Sequence, residues 1–507
     1  MPTGNIVIVF VHGWSVTNTN TYGGLPARLR AEAAAQGITL QIQEIFLGRY
    51  ISFHDEVRVS DISRAFRTAV QDELATIVNA GTRFVCITHS TGGPVVRDWW
   101  HRYYETDPAA GPCPMSHLVM LAPANYGSAL AQLGKGRLSR MKSWFEGVEP
   151  GQGVLDWLEL GSKEAWALNS AWIIDNNAKS ITGSVFLFVL TGQSIDRSFY
   201  DNLNTYTGEI GSDGVVRVAA SNLCGTYIRL EQQQPQPMPG AGYTADALEV
   251  KEFKQAPRTA LRVISGKSHS GTNMGIMRSV DVAPGDAQSM ETVNAILACI
   301  QVDTVAEYAA LCDRFQTETE VVQQNELLEI EKHLLLSDTY FIHDKYSMVI
   351  FKVLDDEGHP VTDYDLILTA GPNNDPNHLP QGFCADRQRN SLNPETITYF
   401  FDYDVMKGTA KIKSKSGKII RNTITGADML GFKLTARPDS GFVHYLPCEI
   451  KASADMLQKA LHPNSTTLVE IVLRRIVTKN VFLVEEMTSA TVPVDFAKDK
   501  PSVEIVK

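Results

Sequence analysis

The stretch Val85–Trp100, VCITHSTGGPVVRDWW, sets one serine, Ser90, between an apolar run and two glycines. A serine hydroxyl becomes a useful nucleophile only when a base takes its proton and a third group orients that base. Attack on an acyl carbonyl is the chemistry that such a serine performs. Arg83–Ile87 reads as a strand and Gly93–Tyr104 as a helix, with Thr88-His89-Ser90-Thr91-Gly92 as the sharp turn between them. A strand-to-helix turn of this kind lifts the serine oxygen above the sheet and needs small neighbours, which Gly92 and Gly93 provide. Thr88 stands where the G-x-S-x-G pattern has its first glycine. The plainer alternative, Ser90 as a helix cap, leaves His89 and the paired glycines unexplained.

The chain has twelve histidines, yet between residues 118 and 332 His269 stands alone. It lies in VISGKSHSG, just after the strand expected at Leu261–Ile264, and is the expected base. Two acids compete to orient it. Asp213 sits in GEIGSDGVVRV, a tight Asp-Gly turn that re-enters the core at Val215 and Val216; Asp196 sits in LTGQSID, the loop after the strand expected at Val185–Leu190. Asp213 has the stronger local signature and Asp196 the expected loop position. Turn formation alone would explain either. Asp213 is preferred and Asp196 stays open. The developing oxyanion needs two backbone donors; Thr91 N–H, after the nucleophile, and Trp14 N–H, in VFVHGWS after the first strand, are expected to be these.

Those residues need a frame to hold them. From residue 5 to about 300, strand-like runs (Ile6–Val11, Ile38–Ile45, His117–Leu121 among them) alternate with helical patterns such as Leu25–Gln36 and Ile62–Val78. Alternation of this type implies βαβ units, a mostly parallel sheet and helices on both faces. The expected division is a catalytic domain over 1–303, a helical connector over 304–336 and a β domain, antiparallel and sandwich-like, over 337–507. Because no candidate catalytic residue follows His269, a chain ending near Asp303 is expected to keep its chemistry.

Residues 126–181 contain no strand pattern and hold four of the seven tryptophans, which reads as a helical cap or lid. Within it, Leu130–Val148 combines apolar residues at helical spacing with Lys135, Arg137, Arg140 and Lys142. A basic amphipathic helix of this kind can lie on a membrane surface, while an ordinary cap with core tryptophans accounts for the same residues. Elsewhere the chain is acidic, with a net charge of −11 over 507 residues, and nothing global recruits nucleic acid. Seven scattered cysteines give no C-x-x-C pair, so neither a disulfide framework nor a metal site is expected. No cofactor is expected either. The N-terminal NIVIVFVHG reads as a buried strand rather than a signal sequence, so synthesis in the cytoplasm without a cleaved signal is expected, with export by a signal-independent route left open.

The motifs FVHGW, THSTGG, SDGVV and SHSG resemble those of the serine lipase and esterase branch of the α/β-hydrolase fold, including members related to GPI inositol-deacylases. The resemblance covers about residues 1–300 and implies Ser90 as nucleophile, Asp213 as acid and His269 as base. The overall build also resembles bacterial phospholipase effectors delivered by type VI secretion, which would imply a secretion-machinery or immunity-protein partner. The expected activity is hydrolysis of carboxylic esters of lipids through an acyl-enzyme. An acyltransferase using the same three residues, and a delivery or binding protein with an incidental hydrolase domain, are the alternatives.

Overall fold

In the strand Asn5–Val11 the side chains of Val7, Val9 and Val11 join one hydrophobic cluster, and those of Ile8 and Phe10 join another. A strand whose alternate side chains are all buried must have a layer on each face. The computed structural model of the chain describes residues 5–11, 22–45, 55–107, 109–132, 151–175, 185–195, 211–238, 242–244, 247–283, 287–331 and 338–477. The strands of its two main sheets are, in order, β1 (Asn5–Val11), β2 (Thr39–Ile45), β3 (Phe84–His89), β4 (Met115–Leu121) and β5 (Phe186–Thr191). Next come β6 (Thr226–Gln232), β7 (Leu248–Gln255) and β8 (Ala260–Val263). The chain ends these sheets with β9 (Tyr346–Asp355), β10 (Cys384–Arg389), β11 (Thr396–Asp402) and β12 (Ser465–Leu473).

The first sheet is parallel throughout, in the order β8-β5-β4-β3-β1-β2. Helices α1 (Leu25–Ala35), α2 (Val59–Glu73) and α3 (Gly92–Trp100) lie in the crossovers. Phe66 of α2 packs edge-on against Trp99 of α3 at 5.0 Å on one face. The other face is covered by α1 and by two later helices, α4 (Ala287–Ile300) and α5 (Val305–Asn325). This is the expected α/β-hydrolase sheet.

The expected connector over 304–336 does more than connect. Thr304 and Glu307 form a reciprocal capping box that starts α5, and the helix then buries Tyr308, Leu311, Cys312 and Phe315 in the core of the parallel sheet. Tyr308 donates its hydroxyl to the Leu187 carbonyl of β5 at 2.6 Å. After it, Leu328–Glu331 forms a short antiparallel pair with Thr339–Ile342.

The second sheet is mixed rather than antiparallel, and it is not built from residues beyond 337 alone. Its order is β10-β11-β9-β12-β6-β7. β12 runs parallel to β9 on one side and to β6 on the other, with Thr467 opposite Thr226. Both β6 and β7 come from the segment read as catalytic domain. A three-stranded sheet of Tyr364–Ala370, Met429–Ala436 and Cys448–Ser453 packs over the larger one through Leu366, Leu434 and Phe432, which makes the region sandwich-like. The insert after β4 contributes helices Gln152–Leu158 and Lys163–Ile174, whose Trp157, Trp166 and Trp172 are buried in the core of the parallel sheet's first face. Among the described residues no helix is long and apolar enough to cross a membrane.

Candidate active site

β3 is buried along its whole length and ends at His89; α3 begins at Gly92. Ser90, between them, has φ +53°. A non-glycine residue there costs about 1–3 kcal/mol and persists only where its surroundings fix it. Two main-chain bonds do so: Ser90 N–H donates to the Leu121 carbonyl of β4 at 3.0 Å, and Gly93 N–H donates to the Ser90 carbonyl at 3.2 Å. A Cβ on Gly93 would lie 2.9 Å from Pro123 Cβ, and one on Gly92 would lie 3.3 Å from Thr88 Cβ. Gly92 therefore makes the space that the β-branched Thr88 occupies, which explains how the turn forms without the pattern's first glycine. The hydroxyl of Thr88 is buried with no hydrogen-bond partner.

His269, on the loop after β8, reaches this turn. Its Nε2 lies 3.0 Å from Ser90 Oγ and its Nδ1 lies 2.9 Å from Asp213 Oδ2. A carboxylate oxygen accepts, so Nδ1–H donates to Asp213 and Nε2 is left to accept the Ser90 hydroxyl proton. The second carboxylate oxygen, Asp213 Oδ1, accepts from Val215 N–H at 3.0 Å and Val216 N–H at 2.8 Å. The turn at Gly214, with φ +96°, aims both amides at the carboxylate. The main chain repeats the link, since His269 N–H donates to the Asp213 carbonyl at 2.9 Å. Asp213 is fully buried and His269 nearly so, while Ser90 keeps partial exposure.

His89 supports His269 from below. Its ring sits 4.8 Å from that of His269, and its Nε2–H donates to the His269 carbonyl at 3.0 Å. Burial, with the neighbouring His269 as the second cause, pushes its pKa down from 6.5 to about 3. A neutral His89 suits the site, because a second cation here would oppose an imidazolium on His269. The sequence marked His89 only as a residue of the turn. Nothing in a sequence pattern announces that its ring would hold a carbonyl 180 residues away.

Ser90, His269 and Asp213 are thus brought together, and Thr91 follows Ser90 as the residue before α3. Trp14, Asp196 and the basic residues Lys135, Arg137, Arg140 and Lys142 lie outside the described residues. Among the described residues no group of three or more His, Cys, Asp or Glu side chains could hold a metal ion.

A parallel sheet with a positive-φ serine at a central strand-to-helix turn, and a histidine and an aspartate on loops after later strands, defines an α/β-hydrolase. No protein-family model and no curated protein matches the sequence. Two solved structures of phospholipase PlaB from Legionella pneumophila do, each at 43% identity. One covers 99% of this chain and 100% of the other with a TM-score of 0.83. The other, a complex with thio-NAD, covers 97% of this chain and 98% of its counterpart with a TM-score of 0.79. The chain belongs to the α/β-hydrolase family of lipid ester hydrolases that includes PlaB.

Proposed function

We propose that this protein is a phospholipase in which Ser90, His269 and Asp213 act as one charge-coupled unit. His269 Nε2 takes the Ser90 proton as Oγ attacks the ester carbonyl of a phospholipid. The oxyanion is held by Thr91 N–H and by Trp14 N–H. Collapse of the tetrahedral intermediate expels the glycerol oxygen, which receives the proton from His269 and leaves as a lysophospholipid. Water, deprotonated by the same imidazole, then releases the fatty acid and restores Ser90. Asp213 keeps Nδ1 protonated and stabilises the imidazolium that forms in both steps.

The observation that carries this reading is the unbroken hydrogen-bond chain from Ser90 through His269 to Asp213, at 3.0 and 2.9 Å. The phospholipid substrate rests on the name of the 43% identical relative. The test is purified protein on phosphatidylcholine and phosphatidylglycerol vesicles, with mass spectrometry of the products. Free fatty acid and lysophospholipid in equal amounts are expected, and Ser90→Ala is expected to lower the rate by about 10⁴-fold or more. Full activity in the Ser90→Ala variant would overturn the mechanism. Acyl transfer to an added alcohol in place of free fatty acid would mark an acyltransferase.

A further inference from the structure

The acid of the active site is carried on a loop that rests on the other sheet. Residues Gly211–Val218 form a small closed unit: Ser212 bridges to Arg217, and Val218 N–H donates to the Gly211 carbonyl at 3.0 Å. Asp213 sits inside it, and the loop's outer side presses on β9–β11. Gly211, at φ +82°, approaches so closely that a Cβ would lie 2.5 Å from the ring of Tyr346 in β9. Tyr346 stacks on Phe400 of β11 at 4.6 Å. Arg217, 2% exposed, lays its guanidinium over the Phe400 ring at 4.1 Å and pairs with Asp386 of β10. One end of the acid loop is thus set against Tyr346, and the other is tied by a buried cation to Phe400 and Asp386.

We propose that Arg217 and Asp386 are positioning residues for the acid: the Arg217–Asp386 pair, seated on Phe400, fixes the loop that aims Asp213 at His269. The proposal rests on the assignment of Asp213 as the acid. Its physical basis is geometric. Asp213 has no contact with β9–β11 of its own among the interactions described, and its carboxylate is aimed by Val215 and Val216 amides that immediately precede Arg217. A shift of the Arg217 anchor moves those amides, and the carboxylate with them. Misplacing a catalytic group by about an ångström costs on the order of 100-fold in rate. It follows that a sheet holding none of Ser90, His269 and Asp213 sets the efficiency of the site.

The experiment removes both charges together, because deleting Asp386 alone would take from a buried guanidinium the carboxylate it pairs with. The full-length variant Arg217→Met/Asp386→Asn is compared with wild type on a short soluble ester, in kcat, KM and thermal unfolding, and again in an Asp213→Asn background. Expected are a kcat about 10- to 100-fold lower, a KM within about twofold, and no further loss once Asp213 is already Asn, since neighbours acting through one group are not additive. Unchanged kcat, or an equal further loss in the Asp213→Asn background, would overturn the proposal. If the paired variant unfolds below the assay temperature, Arg217→Lys, which keeps the charge but loses the planar face over Phe400, is read by the same criteria. A full-strength Asp213→Asn enzyme would instead overturn the assignment of the acid itself, a result distinguishable from failure of the anchor.

Discussion

At the scale of single residues, the choice between two aspartates separates what a sequence can say from what it cannot. The Asp-Gly-Val-Val turn favours Asp213 because such a turn folds its own amides onto its own carboxylate, a local event, and the structure has Val215 and Val216 doing so. Loop position favours Asp196, and no local signal weighs one argument against the other. Asp213→Asn is expected to lower kcat by about 10⁴-fold, since an amide in that place favours the wrong imidazole tautomer, while Asp196→Asn is expected to change it little; steady-state kinetics on one soluble ester decide. His89 gives a prediction on stability. Its folded-state pKa of about 3 lies below the ordinary 6.5, so the unfolded chain takes up its proton first. Stability is complete above pH 6.5 and is lost as pH falls towards 3. At about pH 4.5 the loss amounts to roughly 2–3 kcal/mol, two pH units at about 1.4 kcal/mol each. His89→Gln, whose amide can still donate to the His269 carbonyl, is expected to flatten that slope. Urea unfolding of both proteins at pH 7 and pH 4.5 measures it, and parallel slopes would remove His89 as its source.

At the scale of elements, the strand–turn–helix around Ser90 was the most legible feature, because each determinant lies within a dozen residues: an apolar run, a tight turn, two glycines and a helix. The insert was half legible. Its tryptophan content pointed to a helical cap, and Trp157, Trp166 and Trp172 are buried in the core; apolar residues at helical spacing look alike whether they face protein or lipid. The loop bearing His269 depends on a contact that no pattern announced. Gly192, just past β5, lies so close to the next loop that a Cβ would sit 1.8 Å from the Lys267 carbonyl oxygen, two residues before His269. Ser194 N–H then donates to that same carbonyl at 3.1 Å. Backbone cannot yield there as a flexible side chain can, so Gly192→Ala must push Lys267, and His269 with it, away from Ser90. The expected result is a kcat lower by about 100-fold with slower labelling of Ser90 by a fluorophosphonate. Wild-type labelling would mean that the His269 loop is held independently of β5.

At the scale of the whole molecule, the sequence suggested two modules and the structure has one interlocked body. The reason lies in what period-2 patterning encodes: it tells which face of a strand is buried, not which strand lies beside it. TYIRLEQ and LEVKEFKQ thus gave no sign that β6 would pair with β12, more than 230 residues later, or that β7 would extend that second sheet. Other bonds cross the same seam: Asn222 donates to the Asn464 carbonyl at 2.7 Å, and Thr466 to the Ala219 carbonyl at 2.8 Å. A chain ending at Asp303 would leave β6, among the described strands, paired with β7 alone, a two-stranded ribbon that is marginal in water. It would also remove α5 and so uncover the face on which Tyr308, Leu311 and Phe315 are buried. Three such side chains are worth roughly 1.5–3 kcal/mol each, and a typical domain has only about 5–15 kcal/mol of net stability. Loss of α5 alone therefore consumes much of the margin, before the seam is counted. The 1–303 fragment is expected to be insoluble or to lack a cooperative thermal transition, and to show no turnover of a short soluble ester, although it contains Ser90, Asp213 and His269. Circular dichroism, size-exclusion chromatography and ester turnover of the fragment beside the full chain provide the measurement. A monodisperse, cooperatively melting and active fragment would establish two separable modules and reduce the seam to a docking contact.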